Sequence, residues 1–503
     1  MEHEPRRREI PPEPRDGRGS AMPLCVDLDG TLVATDTLWE SVVRLLRRNP
    51  LWLVVLPLWL LGGRASFKRR VAARVSIDPA VLPYRREVLE LIESARDAAR
   101  PVLLVTAADR DVAERIAAHL GLFDGVVASD GRENLKGEVK RDLLVGRFGE
   151  GGFEYVGDAA ADLPVLAAAA RGWLCAPAGR TAARAGRLDV PVGTIGRRRS
   201  PLLALVRALR PHQWAKNTLL FLPVVLADEG IRLINVVHAA YGFAAFCLVA
   251  SAGYVLNDLV DVDADRAHRT KRHRPFASGD LPIALGPPLF AVLVLAAFAV
   301  SALLLPGLFA AMLAVYFAAS LAYTFYLKSK VMVDVLVLAM LYTHRVLSGG
   351  VATGIPISAW LLAFSMFFFL SLAFAKRYVE LLDFAGIGDE TVKSRGYQKS
   401  DLEMVGSMGP ASGYLAVLIF SLYINSPKVA TGYSHPSLLW IACPILLYWI
   451  SRIWIRARRR KLHDDPVRFA LFDPVSWICG ALVGLVVLLA RLLPAGQIEE
   501  LIR

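Results

Sequence analysis

The stretch Asn257-Asp258-Leu259-Val260-Asp261-Val262-Asp263-Ala264-Asp265 puts four aspartates into eight positions, directly after a long apolar run. One aspartate at the centre of a membrane helix costs roughly 2.5–3.5 kcal/mol, so such a cluster is expected at the helix mouth, facing an interior cavity and holding a cation. Magnesium is the expected ion, because it binds through one or two carboxylates and completes its shell with phosphate oxygens. The next segment, Arg266-Ala267-His268-Arg269-Thr270-Lys271-Arg272-His273-Arg274-Pro275, supplies the cations that a phosphorylated ligand also needs. Acid and base together predict a diphosphate site.

Outward from this stretch, composition divides the chain in two. Its 503 residues are 55% hydrophobic, too apolar for a soluble protein, and 21% charged, too polar for a purely membranous one. Residues up to about 200 have ordinary globular composition, whereas from about Leu219 apolar runs near twenty residues recur. The runs are continuous rather than alternating, which predicts helices, since a helix satisfies its own backbone in hydrocarbon. Helices are expected at 214–230, 234–256, 285–304, 307–327, 331–349, 357–375, 409–426, 436–453 and 474–493, about nine spans.

If the bundle begins in the cytosol, every second connection returns there, around 257–284, 328–330, 376–408 and 454–473. These loops hold nearly all of the bundle's lysine and arginine, while the opposite loops offer little beyond Arg232 and Lys428. That bias predicts the inner (plasma) membrane, with the acidic stretch and the soluble part on its cytoplasmic face. The net charge of +12 is then a matter of topology, and nucleic acid is not an expected partner. Cys25, Cys175, Cys247, Cys443 and Cys479 form no CxxC pair and predict neither a disulfide framework nor a zinc site. Residues 1–21 are charged and contain no apolar segment, so a flexible tail rather than a signal peptide is expected.

In the soluble part, Leu24-Cys25-Val26-Asp27-Leu28-Asp29-Gly30-Thr31-Leu32 reads as a buried strand entering a tight turn, with Asp27 and Asp29 on one side of it. A carboxylate nucleophile needs a second carboxyl to protonate the leaving group and activate water, and a magnesium ion to offset repulsion from phosphate. Three further segments follow in order: Val102-Leu103-Leu104-Val105-Thr106, Lys136-Gly137-Glu138-Val139-Lys140, and Tyr155-Val156-Gly157-Asp158-Ala159-Ala160-Ala161-Asp162. This ordered set resembles the haloacid dehalogenase-like phosphatase family over residues 22–195. The resemblance implies an α/β Rossmann-like domain with a helical cap at about 36–96. It also implies Asp27 as nucleophile, Asp29 as general acid/base, Thr106 as a phosphate donor and Lys140, or alternatively Lys136, as the steadying cation. Magnesium would be held by Asp27, Asp29 and Asp158, with Asp162 in support. Within the cap, the run from Leu51 to Leu61 is too short to span a membrane; it is expected to touch the bilayer beside Arg64, Lys68, Arg69 and Arg70, or else to be a cap core helix.

In the membrane part, Arg210-Pro211-His212-Gln213-Trp214-Ala215-Lys216-Asn217, the NDxxDxxxD spacing of Asn257, Asp258, Asp261 and Asp265, and Arg274-Pro275 together resemble the UbiA superfamily of intramembrane prenyltransferases. The resemblance covers residues 211–503, after a basic linker at 196–210, and implies an all-α bundle. Asp258, Asp261 and Asp265 would hold magnesium and the donor diphosphate, with Lys216, Asn257, Lys271, Arg272 and Arg274 around it. Where most of the superfamily has a second aspartate-rich loop, this chain has Lys376-Arg377-Tyr378-Val379-Glu380 and later Tyr397. That pattern, with His463-Asp464-Asp465-Pro466-Val467, is similar to the branch typified by decaprenyl-phosphate phosphoribosyltransferase. The branch implies phosphoribosyl diphosphate as donor and polyprenyl phosphate as acceptor, both of which bring extra anions for lysine and arginine to meet. The alternative is prenyl transfer from a polyprenyl diphosphate to an aromatic acceptor. Asp334 and Arg345 stand in or beside apolar runs, where an ionisable residue is a functional candidate unless the two pair with each other.

Overall fold

The computed structural model describes residues 22–492 apart from 50, 131–133, 198, 228–230, 386–395, 463–468 and 471; the sequence reading of His463–Val467 therefore lies outside the described residues. The chain forms two compact units. One takes the residues up to Leu209 together with Val255–Leu289, and the other takes Arg210–Tyr254 with Phe290–Arg503.

The first unit is built on six parallel strands, β1 (Leu24–Val26), β2 (Val102–Asp109), β3 (Gly125–Ser129), β4 (Glu154–Gly157), β5 (Arg171–Cys175) and β6 (Val192–Ile195), in the order β3-β2-β1-β4-β5-β6. Strands covered on both faces read as unbroken apolar runs, and β1 and the start of β2 are buried throughout. Alternation sends Leu24, Val26, Leu104 and Val156 into one core and Cys25, Leu103, Val105 and Tyr155 into the other. Because β1 pairs with both β2 and β4, the chain turns away in opposite directions from neighbouring strands, and a crevice opens at their carboxyl ends.

Three helices open the expected cap region, α1 (Thr37–Arg48), α2 (Trp52–Leu60) and α3 (Arg64–Ala72), while a fourth, Arg86–Asp97, falls at its end and packs on the core of the sheet. The Asp36 carboxylate caps α1 by accepting from the backbone N–H groups of Leu38 and Trp39, at 2.9 and 3.1 Å. Only Leu56 of α2 is buried, in a small cluster with Val42, Phe67 and Val71, whereas Leu53, Val54 and Leu58 are more than 60% exposed. A cap core helix is thus not what α2 is. Its two tryptophans turn inward instead, and the Arg74 guanidinium sits 4.5 Å from the centre of the Trp59 ring.

Residues 255–289 join this unit through charge. Glu40 of α1 is fully buried; it accepts from Thr35 at 2.7 Å, from Arg44 at 2.8 Å and from Arg266, while Arg44 also donates to Asp263 at 3.0 Å. Burial alone would raise the Glu40 carboxyl, but Arg266 and then Arg44 outweigh it and hold the pKa below its ordinary value.

Among the described residues, eight helices are long and apolar enough to cross a membrane, running from Leu233–Val260 to Pro474–Leu492. The ninth expected span, 214–230, is absent as such. Its place is taken by a 3-10 segment, Pro211–Phe221, and a short helix, Leu222–Val225. Pro223 cannot donate to a preceding turn, and Asn217 spends its side chain on Cys247 and Arg345 instead of facing outward, so a regular spanning helix does not form. The bundle's core lies between the helices Val333–Thr353, Ala359–Ala385, Leu402–Ile424 and Ala442–Arg458.

Candidate active sites

Asp27 follows β1 directly and points into the crevice, 8% exposed. Lys140, from the helix Glu138–Phe148, is buried and donates to Asp27 Oδ1 at 2.9 Å, so it rather than Lys136 contacts the expected nucleophile; Lys136 lines the same cavity. The ammonium also donates to the Tyr155 hydroxyl at 2.8 Å, which donates in turn to Asp162 Oδ1 at 2.8 Å. The other oxygen of Asp162 accepts from the backbone N–H groups of Asp158 and Ala159, at 3.2 and 3.0 Å, and so fixes the loop that carries Asp158. Thr106, buried at the bend of β2, accepts from Ala108 N–H at 3.0 Å, which leaves its hydroxyl proton for an incoming phosphate oxygen.

Asp29 accepts from the Thr37 N–H at 2.8 Å, at the start of α1, so the cap's first helix orients it. Its pKa is raised to about 8 by burial and then by Asp36, which keeps a proton on it at neutral pH, as an acid for a leaving group requires. Burial, followed by the repulsion of neighbouring carboxylates, also raises Asp158, to about 7; Asp27 is raised to about 6 by burial against the pull of Lys140. Such crowding suits a hard divalent cation. Carboxylate oxygens of Asp27, Asp158 and Asp162 lie within 4.8 Å of one another, a donor set that fits magnesium; Asp29, also expected as a ligand, is not part of that group. Gly30 permits the arrangement, since its φ is +79° and a Cβ there would fall 2.3 Å from Asp158 Oδ2.

The acidic stretch lies where the helix Leu233–Val260 ends and a short helix, Val262–Ala267, begins. Asp258 and Asp265 are buried and converge on Arg274, whose Nη1 is 3.2 Å from one and 2.7 Å from the other. Asp261 stands between them at the break, whereas Asp263 turns to Arg44. Asn257 is half-buried on the same helix end, while Lys271 and Arg272 are exposed. Of the basic residues expected here, Arg274 reaches both Asp258 and Asp265. The three motif aspartates do not gather as tightly as the set around Asp27; two of them share Arg274, and magnesium uses one or two carboxylates beside phosphate.

In the second unit, Arg377 is buried in the helix Ala359–Ala385, with Nη2 2.6 Å from Asp334 Oδ2 and a further contact to Glu380. Tyr397 donates to the other Asp334 oxygen at 2.7 Å and accepts from Met332 N–H at 3.0 Å. This loop was expected to present positive charge, but Arg377 is matched by carboxylates. Tyr378 packs edge-on against Trp454, and Lys376 is half-buried beside it in the chain. Asp334 and Arg345 do not pair with each other. Arg345 instead donates to Asn217 at 2.9 Å, Tyr316 at 2.7 Å and the Leu341 carbonyl at 2.6 Å. Lys216 lies 6.0 Å from the centre of the Tyr342 ring, over which the Arg345 guanidinium also sits.

Sequence reasoning gave no role to Tyr155 or Glu40, and it read Arg266 as a cation for a phosphorylated ligand, whereas the structure pairs it with Glu40. Tyr155 had a weak signal, a polar-tipped ring among aliphatic strand residues, but nothing along the chain joins Glu40 to a partner 226 positions away.

A model of the UbiA prenyltransferase family matches residues 218–489, and one of haloacid dehalogenase-like hydrolases matches residues 24–167. The chain is 40% identical over 466 residues to an uncharacterized protein of Sinorhizobium fredii, spanning 92% of this chain and 90% of that one. It is 37% identical over 294 residues to the nodulation protein NoeC of Azorhizobium caulinodans, spanning 58% of this chain and 94% of that protein. Over 220 residues it is 38% identical to the decaprenyl-phosphate phosphoribosyltransferase of Mycolicibacterium smegmatis, spanning 43% of this chain and 69% of that enzyme.

Proposed function

Since the chain belongs to the UbiA prenyltransferase family and carries a haloacid dehalogenase-like hydrolase domain on the same polypeptide, we propose that it is a two-site membrane enzyme that makes and then trims a lipid-linked sugar phosphate. The bundle transfers 5-phosphoribose from phosphoribosyl diphosphate to polyprenyl phosphate, and the hydrolase removes the 5-phosphate. The observation that carries this reading is the ordered Asp27–Lys140–Tyr155–Asp162 site on a chain whose membrane part is similar to a phosphoribosyltransferase. Prenylation of an aromatic acceptor leaves no phosphomonoester for such a site; phosphoribosyl transfer does.

At the acidic stretch, Asp258 and Asp265 would hold magnesium against the donor diphosphate, with Asp261 beside them. The ion supplies charge neutralisation of the leaving group. The bond from the anomeric carbon to the diphosphate oxygen breaks with its electron pair, and a phosphate oxygen of the acceptor lipid forms the new bond. Arg274, already bridging the two aspartates, would meet the departing diphosphate. At the hydrolase site the Asp27 carboxylate attacks phosphorus, Asp29 gives its proton to the leaving 5-oxygen, and Asp29 then takes a proton from the water that releases phosphate. That both sites belong to one compact unit supports a shared side of the membrane, and the positive-inside bias favours the cytoplasmic one.

The exposed face of α2 fits this substrate, because Leu53, Val54 and Leu58 offer an apolar surface to the bilayer in which the lipid is held. Leu53→Glu with Leu58→Glu is expected to slow removal of phosphate from the lipid-linked substrate in vesicles severalfold while leaving a water-soluble phosphomonoester unaffected. Equal slowing of both substrates would reject the bilayer contact.

Purified protein supplied with magnesium, phosphoribosyl diphosphate and polyprenyl phosphate is expected to yield a dephosphorylated polyprenyl-phosphate pentose, read by mass analysis of the lipid fraction. Absence of any lipid-linked pentose, or transfer of an isoprenyl group to a hydroxybenzoate instead, would overturn the reading.

A further inference from the structure

The hydrolase cavity encloses about 580 Å3, far more than a phosphoryl group needs. Its floor, from Asp27 to Asp162, accounts for the chemistry, but its outer wall does not enter into it. That wall is built partly from Ser278, Gly279, Asp280 and Pro282, which follow the acidic stretch, and partly from Arg197 and Arg199, which follow β6. The two arginines lie beyond residue 167, where the hydrolase match ends, and before residue 218, where the membrane-family match begins.

The wall is fixed in place. Gly279 has a φ of +78°, and a Cβ on it would fall 2.0 Å from the Ala34 carbonyl oxygen, so the loop presses against the turn that carries Asp29. Asp280 Oδ2 accepts from Arg199 at 2.8 Å, and Arg266 holds the preceding segment to Glu40. Arg85 also lines the cavity, with its Nε donated to the Gly30 carbonyl at 3.1 Å and the rest of its guanidinium carrying charge toward the same space. Arg85, Arg197 and Arg199 thus line one cavity with Asp280, and Arg199 pairs with that acid.

We propose that Arg197 and Arg199 form a second anion subsite in this cavity, so that the hydrolase selects a substrate bearing a phosphodiester or second phosphate in addition to the phosphomonoester at Asp27. Resting on the hydrolase reading above, this names the substrate class of that site: a sugar phosphate whose anomeric oxygen carries another phosphate. Asp280 tunes the subsite by holding Arg199. Guanidinium is the group best matched to phosphate, and the half-exposed Arg199 has room to exchange Asp280 for a substrate oxygen.

Full-length protein in nanodiscs tests this with two soluble substrates, methyl 5-phosphoriboside and the same 5-phosphosugar carrying a methyl phosphodiester at the anomeric carbon, both read by phosphate release. Wild-type protein is expected to favour the diester. Arg197→Ala with Arg199→Ala should raise KM for the diester about tenfold or more, the loss of a charge-assisted hydrogen bond, with kcat little changed and the riboside within twofold. Asp280→Asn should lower KM for the diester, an effect that a merely structural role would not produce. Equal efficiency on both substrates in the wild type, or equal slowing of both in the arginine variant, would overturn this inference alone. Cleavage of neither substrate would overturn the hydrolase reading and the inference with it.

Discussion

Asp258→Asn is expected to lower transfer of the pentose to lipid by a factor of about 1,000 while hydrolysis of a soluble phosphomonoester stays within twofold of wild type. Asparagine keeps the size of the side chain and removes its charge. Asp258 is 1% exposed and shares Arg274 with Asp265, so the substitution leaves one carboxylate where magnesium and the guanidinium need two. Removing one preorganised charge from a water-poor site costs about 100- to 1,000-fold in rate, and the upper end applies where an ion is lost as well. Breaking a buried ion pair outright costs about 3–5 kcal/mol, but Arg274 keeps Asp265 at 2.7 Å and is 24% exposed, so the fold should survive. Retained hydrolysis by the same preparation reports that survival. Transfer within tenfold of wild type would remove the acidic stretch from the reaction.

The sequence made one of the two sites far more legible than the other, and the reason is local geometry. Asp27, Lys140 and Asp158 each stand at the end of a strand or in the first turns of a helix, and Thr106 at the bend of β2, where alternation and turn chemistry dictate direction, and the structure brings all four to one cavity. The membrane part offers no such rule. Its apolar runs were readable as helices because length and hydropathy suffice for that, yet the same run of apolar residues around Pro211 and Pro223 reads as a span and folds as a 3-10 segment. Charge inside the bundle was legible only as a sum. Arg377 along the chain looks like a cation awaiting a phosphate; in three dimensions Asp334, forty-odd positions away, has already met it, and Arg345 has turned to neutral partners. Likewise Glu40 reads as an ordinary helix-surface acid one turn after Asp36, and its burial against Arg266 depends on a contact that no periodicity encodes.

Asp27→Asn is expected to stop hydrolysis, by a factor of about 10,000 or more, and to leave transfer intact, so that the lipid product accumulates with its 5-phosphomonoester. An amide cannot attack phosphorus as a carboxylate does, and no neighbour can replace it: Asp29 is tied to Thr37 N–H, and Asp162 to Tyr155 and two backbone N–H groups. Lys140 would lose its ion pair with Asp27, though the amide oxygen still accepts from it, and would keep Tyr155 at 2.8 Å and Asp162 at 3.6 Å. Stability should not fall. Burial raises the Asp27 carboxyl to about 6 despite Lys140, so at neutral pH the folded protein carries a charge that its surroundings disfavour. For a group raised in this way, the stability it contributes is complete below its unfolded value of 3.8 and is lost as pH rises through about 6, and a neutral isostere avoids that loss. Against that gain stands the ion pair that buried Lys140 loses, so in chelator at pH 7.5 the variant is expected to unfold near the wild-type temperature. The lipid product decides the functional half: full-sized product still bearing its phosphomonoester assigns the removal step to Asp27, whereas a dephosphorylated product from Asp27→Asn protein would mean that the hydrolase domain does not act on what the bundle makes.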